Sequence, residues 1–289
     1  MARRVGGQAV VEGVLMMANR IVVAVRRKDG EVVVEELGRI RGGVLKKIPL
    51  VRGIVNLYYS LYYGILALTR SAEIAFDEEM KKSEGFFSVF LSLLLAIGLF
   101  FLLPMFLTEL ISQLRGNEFL FSLVEGSIRI GILLAYVWVI SLMKDVRRLF
   151  EYHGAEHKTI NAYESGEELL PENVMRYSRI HPRCGTNFLM IFLISAVLLF
   201  SLLSIFFKPT LTYRIVSRSV LIPVIASISY EFLILFSKLP EPVGKILVSP
   251  GLLLQRLTTR EPDGDQIEVA IRALEEALKG EDTEVEIMA

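Results

Sequence analysis

The sequence predicts a membrane protein of mainly α structure. It has a four-helix transmembrane bundle, an N-terminal cytosolic β subdomain, an interfacial amphipathic helix and a cytosolic loop between membrane helices two and three. Hydrophobic residues make up 53% of the 289 residues, and the mean hydropathy is +0.49. This hydrophobic fraction is higher than that of ordinary soluble domains. Long uncharged runs lie in the middle of the chain, and β-branched runs occur near its start.

The first element is a cytosolic β-rich region over residues 1–48. Residues 21–26 and 32–37 are rich in valine and lie on either side of Asp29 and Gly30, a hairpin turn signal. Several glycines in the same region indicate tight turns or close backbone approach. We therefore expect antiparallel strands here.

The second element is an amphipathic helix over residues 49–80. Leu, Ile, Val and Tyr cover most of its circumference, which is typical of an interfacial or bundle-packed helix. A fifth, partly inserted membrane segment is an alternative for this stretch. The remaining narrow stripe, at spacings of three and four, consists of Arg52, Asn56, Ser60, Tyr63, Ala67 and Arg70.

Four membrane helices are predicted, over residues 86–111, 126–143, 186–207 and 216–237. Residues 86–108 and 186–207 contain no charge and reach the length of about 20 residues that crosses a bilayer. Pro104 is expected to kink the first helix. The second contains Arg129 near its start, where the side chain is expected to snorkel to the interface. The two weaker spans have an alternative as buried helices of a soluble domain.

The distribution of Lys and Arg predicts the orientation. The flanks assigned to one side carry 13 of these residues and the loops on the other side carry 5. Positive residues favour the cytoplasmic side. Both termini and residues 144–185 are therefore expected in the cytoplasm, in a multi-pass membrane protein whose first partner is the lipid bilayer.

The C-terminal segment, residues 238–289, is predicted to be cytosolic. It begins with amphipathic turns that run along the membrane surface. A short helix over 265–279 follows and is expected to dock on the cytosolic domain, because one face carries Ile267, Ile271, Leu274 and Leu278.

The charges cancel overall but not locally. The chain has 32 basic and 32 acidic residues, yet residues 1–56 carry 11 basic and 5 acidic side chains, and residues 258–289 carry 3 and 10. The overall balance argues against a mainly electrostatic nucleic-acid binder, so no specific DNA binding is expected. One cysteine cannot form a disulfide within the chain.

All three histidines and the cysteine lie between positions 153 and 184. His153, Glu156 and His157 form an H-x-x-E-H pattern, and on a helix residues i and i+4 share a face, so both imidazoles reach one metal ion. Glu156 beside them is suited to act as a catalytic base. Gly154 weakens such a helix by about 1 kcal/mol relative to alanine.

A second pair, His181 and Cys184, offers a third zinc ligand and leaves a fourth position for water. The alternatives are histidines that only form hydrogen bonds, and a Cys184–His nucleophile pair that lacks an orienting partner. Arg183 is a candidate for binding phosphate or carboxylate, or a positive-inside anchor. Glu231, an acid inside a membrane span, is a candidate functional residue or the partner of an arginine.

Three blocks of sequence resemble the YqhQ-like bacterial membrane proteins, a family of unknown function sometimes labelled as metal-dependent enzymes. They are residues 6–14 (GGQAVVEGV), 152–158 (YHGAEHK) and 181–186 (HPRCGT). The resemblance spans nearly the whole chain and implies an inner-membrane protein with a cytosolic domain. It also implies that Glu12 faces the site. The chain departs from the family pattern at Ala18, where the first block usually continues with arginine.

Two functions follow from these observations. The first is a zinc-dependent, hydrolytic site formed by His153, His157, His181 or Cys184, with Glu156 as base and an unknown substrate. The second is a non-catalytic adaptor or scaffold in membrane-protein insertion or quality control. Its basic cytosolic face would bind a membrane-protein complex, the translocon or the ribosome. A transporter is a weaker third alternative, because the chain has no internal repeat.

Overall fold

The computed structural model describes residues 5–39, 48–77, 82–114, 116–207 and 211–280. Four antiparallel strands form one sheet in the order β1-β2-β3-β4, and helices make up most of the rest. The strands are β1 (Gly6–Val10), β2 (Gly13–Met17), β3 (Arg20–Arg26) and β4 (Val32–Arg39). The helices are α1 (Val51–Phe76), α2 (Lys82–Ile97), α3 (Leu103–Glu109), α4 (Glu118–Ile140), α5 (Lys144–Glu164), α6 (Pro171–Val174), α7 (Gly185–Phe206), α8 (Leu211–Lys238), α9 (Glu241–Thr258) and α10 (Gly264–Leu278).

The sheet is covered by helices on both faces. The predicted hairpin joins β3 to β4 with Arg26 opposite Val32, and Gly30 takes the positive φ of 90° that its turn requires. Alternate residues of β2 separate the two cores: Met16 packs against α5 and α10, whereas Leu15 packs on the face that α1 covers. The sheet is therefore the middle layer between α1 on one face and α5 and α10 on the other.

Helix α10 connects the two ends of the chain. Its predicted apolar stripe is buried against β2, β3 and α5, and the side chain of Asp263 caps its first turn. Arg20 pairs with Glu276 at 3.0 Å and Arg26 with Glu268 at 2.9 Å. The basic start and the acidic end therefore neutralise each other in part. Residues 1–4, 40–47 and 281–289, which carry further charges of both regions, lie outside the described residues.

Helix α1 packs with its small and polar stripe inwards. Asn56 is buried and donates to the hydroxyl of Tyr230 at 2.6 Å, and Ala67 is fully buried against the sheet. The apolar side is exposed instead, with Tyr58 65% and Ile65 63% accessible. An apolar face of this size that no part of the described chain covers is suited to lipid.

Four helical segments are long and apolar enough to cross a membrane. They are Val89–Glu109, Glu118–Ile140, Gly185–Phe206 and Val220–Lys238. The second helix begins earlier than the uncharged run, because the side chain of Asn117 accepts the N–H of Leu120 at 3.0 Å and caps the helix. Helix α7 packs against α4, α8 and α9.

The predicted snorkelling of Arg129 was wrong. Pro104 has no N–H to offer the carbonyl of Phe100 one turn earlier, and a π-helical turn over Gly98–Leu102 precedes it. Arg129 Nε donates to that carbonyl at 2.8 Å, and its Nη2 contacts Glu125 Oε1 at 2.7 Å. Glu125 is 1% exposed. The proline-induced irregularity therefore holds the arginine inside the helix group.

Candidate metal centre

Most of the segment between the second and third long apolar helices is helical rather than a loop. Helix α5 occupies Lys144–Glu164 and presents His153 and His157 one turn apart. Cys184 is the N-cap residue of α7, so its sulfur lies at the positive end of that helix. The contact between Cys184 and His153 places this N-terminus next to α5.

His153, His157 and Cys184 form a group that could hold a metal ion. One ligand atom from each lies within 4.8 Å of the others. The Nε2 of His153 is 3.3 Å from the Cys184 sulfur, and the two imidazole rings are 4.4 Å apart between centroids. The group lies on the inner side of α5, where His157 is 1% exposed.

Backbone carbonyls hold both imidazoles in one tautomer. His153 Nδ1–H donates to the carbonyl of Thr258 at 2.8 Å, and His157 Nδ1–H donates to that of Arg179 at 2.7 Å. A carbonyl only accepts, so the neutral form of each ring carries its proton on Nδ1 and has its lone pair on Nε2, where a metal would bind. The buried Nε2 of His157 has no hydrogen-bond partner within the described ranges. This is the arrangement in which proteins present histidine to a metal.

Glu156 lies beside the group without belonging to it. The residue is 3% exposed, and its Oε2 is 4.0 Å from His153 Nε2. The carboxylate is packed against the backbone of β1: a Cβ on Gly7 would lie 2.6 Å from Glu156 Oε1. Only glycine at position 7 leaves room for the acid, which explains how the first sequence block reaches the site.

Charges in the group favour a thiolate–imidazolium pair in the absence of metal. Burial alone would lower the pKa of His153, but the Cys184 thiolate beside it raises this pKa to about 9. Burial opposes ionisation of Cys184, yet the charges of His157 and His153 hold the pKa of the thiol well below its ordinary value. Burial raises the pKa of Glu156, and the two imidazoles counteract it in part.

The donor set fits zinc. One thiolate and two imidazoles are ligands that Zn²⁺ prefers, and three protein ligands leave a position for substrate or water. A partly open cavity of about 310 Å³ reaches the group and is lined by His153, Glu156 and Cys184. Its walls come from β1, α1, α5 and the start of α7, and its apolar lining is Ala9, Met17, Leu57, Leu149, Phe150 and Phe188.

His181, predicted as an alternative third ligand, lies next to this group but points elsewhere. Its Nε2 is 3.5 Å from Glu164 Oε2, and its ring centroid is 5.8 Å from that of His157. Burial lowers the pKa of His181. Its backbone is fixed by Gln255, which accepts its N–H at 3.0 Å and donates to its carbonyl at 2.8 Å. The turn that carries His181 therefore points Cys184, not the imidazole, at the α5 histidines.

Arg183 lines a separate cavity of about 410 Å³ and is held by a carboxylate of α5. Its guanidinium forms an ion pair with Glu164. Burial would raise the pKa of Glu164, but the hydrogen bond from His181 and the charge of Arg183 hold it below its ordinary value. Together these three side chains support the turn before Cys184.

Glu231 and Glu12 lie outside the cavity that reaches the group. Glu231 pairs with Arg52 of α1 at 2.5 Å and accepts the N–H of Leu50 at 3.0 Å, the arginine partner that the sequence left open. Glu12 does not face the histidines as the resemblance implied. It occupies the β1–β2 turn with φ 50°, where it pairs with Arg148 of α5.

Two residues that support the site were missed from the sequence. Gln255 holds the His181 turn, and its only signal was a polar side chain in an apolar helix. Gly154 was read as a weak point of α5. A Cβ there would lie 2.0 Å from the carbonyl oxygen of Arg260, so glycine permits the chain after Thr258 to lie against the helix. The close approach of this segment to Gly154 also positions the carbonyl of Thr258, which accepts from His153 Nδ1–H.

The fold and the site together define a class of protein. It is a sheet–helix unit that presents a His/His/Cys group and is joined to four helices of membrane-spanning length. The chain belongs to the family described as protein of unknown function (DUF1385), which matches residues 48–280, so the resemblance seen in the sequence is confirmed. The "Uncharacterized protein YqhQ" of Bacillus subtilis (strain 168) is 37% identical over 298 residues, covering 95% of this chain and 92% of that protein. No solved structure matches the chain.

Proposed function

We propose that the protein is a multi-pass protein of the bacterial inner membrane with a zinc-dependent hydrolytic site on its cytosolic side. The observation that carries the proposal is the pair of imidazoles whose Nδ1–H groups are fixed on backbone carbonyls while a ligand atom of each lies within 4.8 Å of one thiol. A merely structural histidine pair has no need of a buried, unpartnered Nε2, because leaving one costs about 1–3 kcal/mol.

The residues around the group are suited to hydrolysis. When bound, Zn²⁺ supplies Lewis acidity to a carbonyl and to water. Glu156 then accepts the proton of the attacking water and returns it to the leaving group. Burial keeps the carboxylate from bulk solvent, and Gly7 holds it in place. Cys184 and the two histidines position the metal and stay out of the proton transfer.

The excess of Lys and Arg on one side supports the proposed orientation, with the sheet and the site in the cytoplasm. The exposed apolar side of α1 would then lie in the membrane interface, with its polar stripe on the sheet. The cavity opens beside the first turn of α7, so it would lie at the boundary between membrane and cytosol.

The adaptor alternative depends on a free basic face in the N-terminal region. Arg20 and Arg26 instead form ion pairs with Glu276 and Glu268 of α10. The pairing reduces the positive field that would attract ribosomal RNA or another acidic partner. An adaptor also gives no reason for the fixed imidazoles, so we favour the hydrolytic site.

Metal analysis of the purified full chain tests the ligand set. Wild type and His181→Ala should each bind about one equivalent of zinc, whereas His153→Ala, His157→Ala and Cys184→Ala should each bind less. His181→Ala distinguishes the two candidate third ligands, since its ring lies beside the group without contributing a ligand atom. Unchanged zinc content in the three ligand variants would show that these residues do not form a zinc site.

A second experiment separates catalysis from metal binding. Glu156→Gln should keep its zinc but lose hydrolysis of a simple ester, p-nitrophenyl butyrate, by about 100-fold or more, the usual contribution of a general base. Equal rates in the two proteins would show that Glu156 is not the base. Co-purification with ribosomes at low salt, without zinc, would favour the adaptor.

A further inference from the structure

The wall of the cavity opposite the histidines is the edge of the sheet. Strand β1 is the terminal strand in the order β1-β2-β3-β4, and Gly7, Gln8 and Ala9 line the cavity. Helix α1 covers one face of the sheet and α5 the other. The cavity therefore lies beyond the open edge of β1, in the gap between these two helices.

The register determines which backbone groups of β1 face that gap. Arg26 N–H donates to the carbonyl of Glu12 at 2.8 Å, so these residues form a hydrogen-bonded pair that continues the β2–β3 ladder. Along an antiparallel ladder, hydrogen-bonded pairs alternate with pairs that form no hydrogen bonds. Applied to the β1–β2 register, this alternation gives Gln8 backbone hydrogen bonds to β2. Gly7 and Ala9 consequently direct their N–H and C=O groups away from the sheet.

Val11 is the next residue in the outward-facing set and supports this assignment. Its N–H donates to Ser71 of α1 at 3.2 Å, on the open side of the strand. For the corresponding groups of Gly7 and Ala9, no partner lies among the residues that the structure describes. Buried or half-buried backbone groups are normally paired, so this edge is ready to accept another strand.

We propose that the substrate of this site is a polypeptide, bound in extended form as an added strand on the edge of β1. This inference rests on the proposed hydrolytic function and names its substrate class. A strand added to a sheet lies about 4.8 Å from its neighbour, which places it in the cavity between α1 and α5. Gly7 is in direct contact with Glu156, so the peptide bond opposite Gly7 would lie next to the catalytic base.

The lining explains which peptides would fit. The walls are mainly apolar, with Met17 and Leu57 on one side of the edge and Leu149 and Phe150 on the other. Side chains of an extended strand alternate between these two walls, and β1 contributes only small side chains at Gly7 and Ala9. We therefore expect cleavage beside apolar residues.

The reaction balances without a further reactant. The oxygen of water bonds to the peptide carbonyl carbon, the C–N bond breaks, and Glu156 transfers the proton from water to the leaving amine. The products are a carboxylic acid and an amine, which exchange one proton to give a carboxylate and an ammonium group.

The first test measures binding without turnover. Zinc-loaded Glu156→Gln protein in detergent micelles is mixed with a pool of end-blocked decapeptides of random sequence, and amide hydrogen exchange is followed. Exchange of the Gly7 and Ala9 amides should slow by about tenfold or more, while the Gln8 amide, already bonded to β2, stays unchanged. Unchanged exchange at Gly7 and Ala9 at saturating peptide would overturn the proposal.

The second test measures cleavage with matched backbone variants. Ala9→Pro removes an outward N–H without touching the β1–β2 ladder, whereas Ala9→Ser keeps it; proline is tolerated on such an edge. We expect kcat/KM for the fastest-cleaved decapeptide to be about 5- to 20-fold lower in Ala9→Pro than in Ala9→Ser at equal zinc content, and equal values in the two variants would overturn the proposal.

If Ala9→Pro fails to fold, the same hydrogen bonds are tested by modifying the peptide instead of the protein. Methylating the amide nitrogens of the decapeptide one at a time should slow cleavage by wild-type protein at alternate positions only, because alternate amides face β1. Glu156-dependent hydrolysis of p-nitrophenyl butyrate, or of phosphatidylglycerol vesicles, with no peptide cleaved would overturn the substrate class and leave the hydrolytic function standing. Zinc binding with no hydrolysis of any probe would overturn both.

Discussion

Replacing Gly154 with alanine should destabilise the protein, although alanine is the better helix former. Helix propensity alone predicts a gain of about 1 kcal/mol. The added Cβ would lie 2.0 Å from the carbonyl oxygen of Arg260 and 3.3 Å from Cδ of Pro262. The oxygen belongs to the backbone, and the N–H of Arg260 donates to the carbonyl of Phe150 at 2.8 Å. Moving the Arg260 carbonyl away from the new Cβ would therefore break this hydrogen bond.

The expected magnitude follows from these contacts. Overpacking costs about 1–3 kcal/mol, and loss of the bond to Phe150 adds about 1 kcal/mol. After the gain in propensity, a net loss of about 2 kcal/mol remains, which corresponds to about 4–8 °C in Tm. Zinc affinity should fall about tenfold or more, because the displaced segment includes Thr258, whose carbonyl orients His153.

Thermal unfolding in detergent, followed by circular dichroism, measures the change, and zinc titration of the folded protein measures the affinity. Gly131→Ala is the matched control: it also lies in a helix, and nothing comes within 4 Å of its added Cβ. The control should be unchanged or slightly more stable. A Gly154→Ala protein as stable as the Gly131→Ala control would refute the reasoning.

Gly7→Ala should lower Glu156-dependent ester hydrolysis by about 100-fold while zinc content stays the same, because the new methyl displaces the carboxylate; an unchanged rate would contradict this. Glu125→Leu should destabilise the protein by about 3 kcal/mol, since it removes the buried carboxylate that pairs with Arg129. Combining Glu125→Leu with Arg129→Leu should restore part of the lost stability, and a further drop in Tm would argue against this ion pair. The pKa of Glu164 is lowered in the folded protein, so its contribution to stability is present above the unfolded value of about 4.3 and is lost as pH falls through the folded pKa. The difference in Tm between wild type and Glu164→Gln should therefore be largest above about pH 5 and shrink below about pH 4; a pH-independent difference would count against this ion pair.

The elements that the sequence predicted share a local cause. The uncharged runs, the turn at Asp29 and Gly30 and the apolar stripe of residues 267–278 are each visible within a few residues, because hydrophobic periodicity and turn chemistry act over short distances. The spacing of His153 and His157 belongs to the same kind of signal, since one helical turn brings them together whatever surrounds the helix.

Helix α1 shows where such patterns mislead. Its composition indicates a broad apolar face, and the helix has such a face. Which face packs on the sheet could not be deduced, because a helix beside a membrane has two apolar environments to choose between. Close packing favours the stripe that contains Gly53, Gly64 and Ala67, since small residues let a helix approach its neighbours.

The sequence by itself determined the helical spans, the hairpin and the imidazole pair. Only the tertiary structure decided that Cys184 rather than His181 completes the group, that Arg129 stays inside, and that Gly7 meets Glu156. Each of these depends on contacts between residues far apart in the chain, such as Thr258 with His153. The free energy of such contacts comes from how helices and strands pack, and no local pattern of residues encodes that packing.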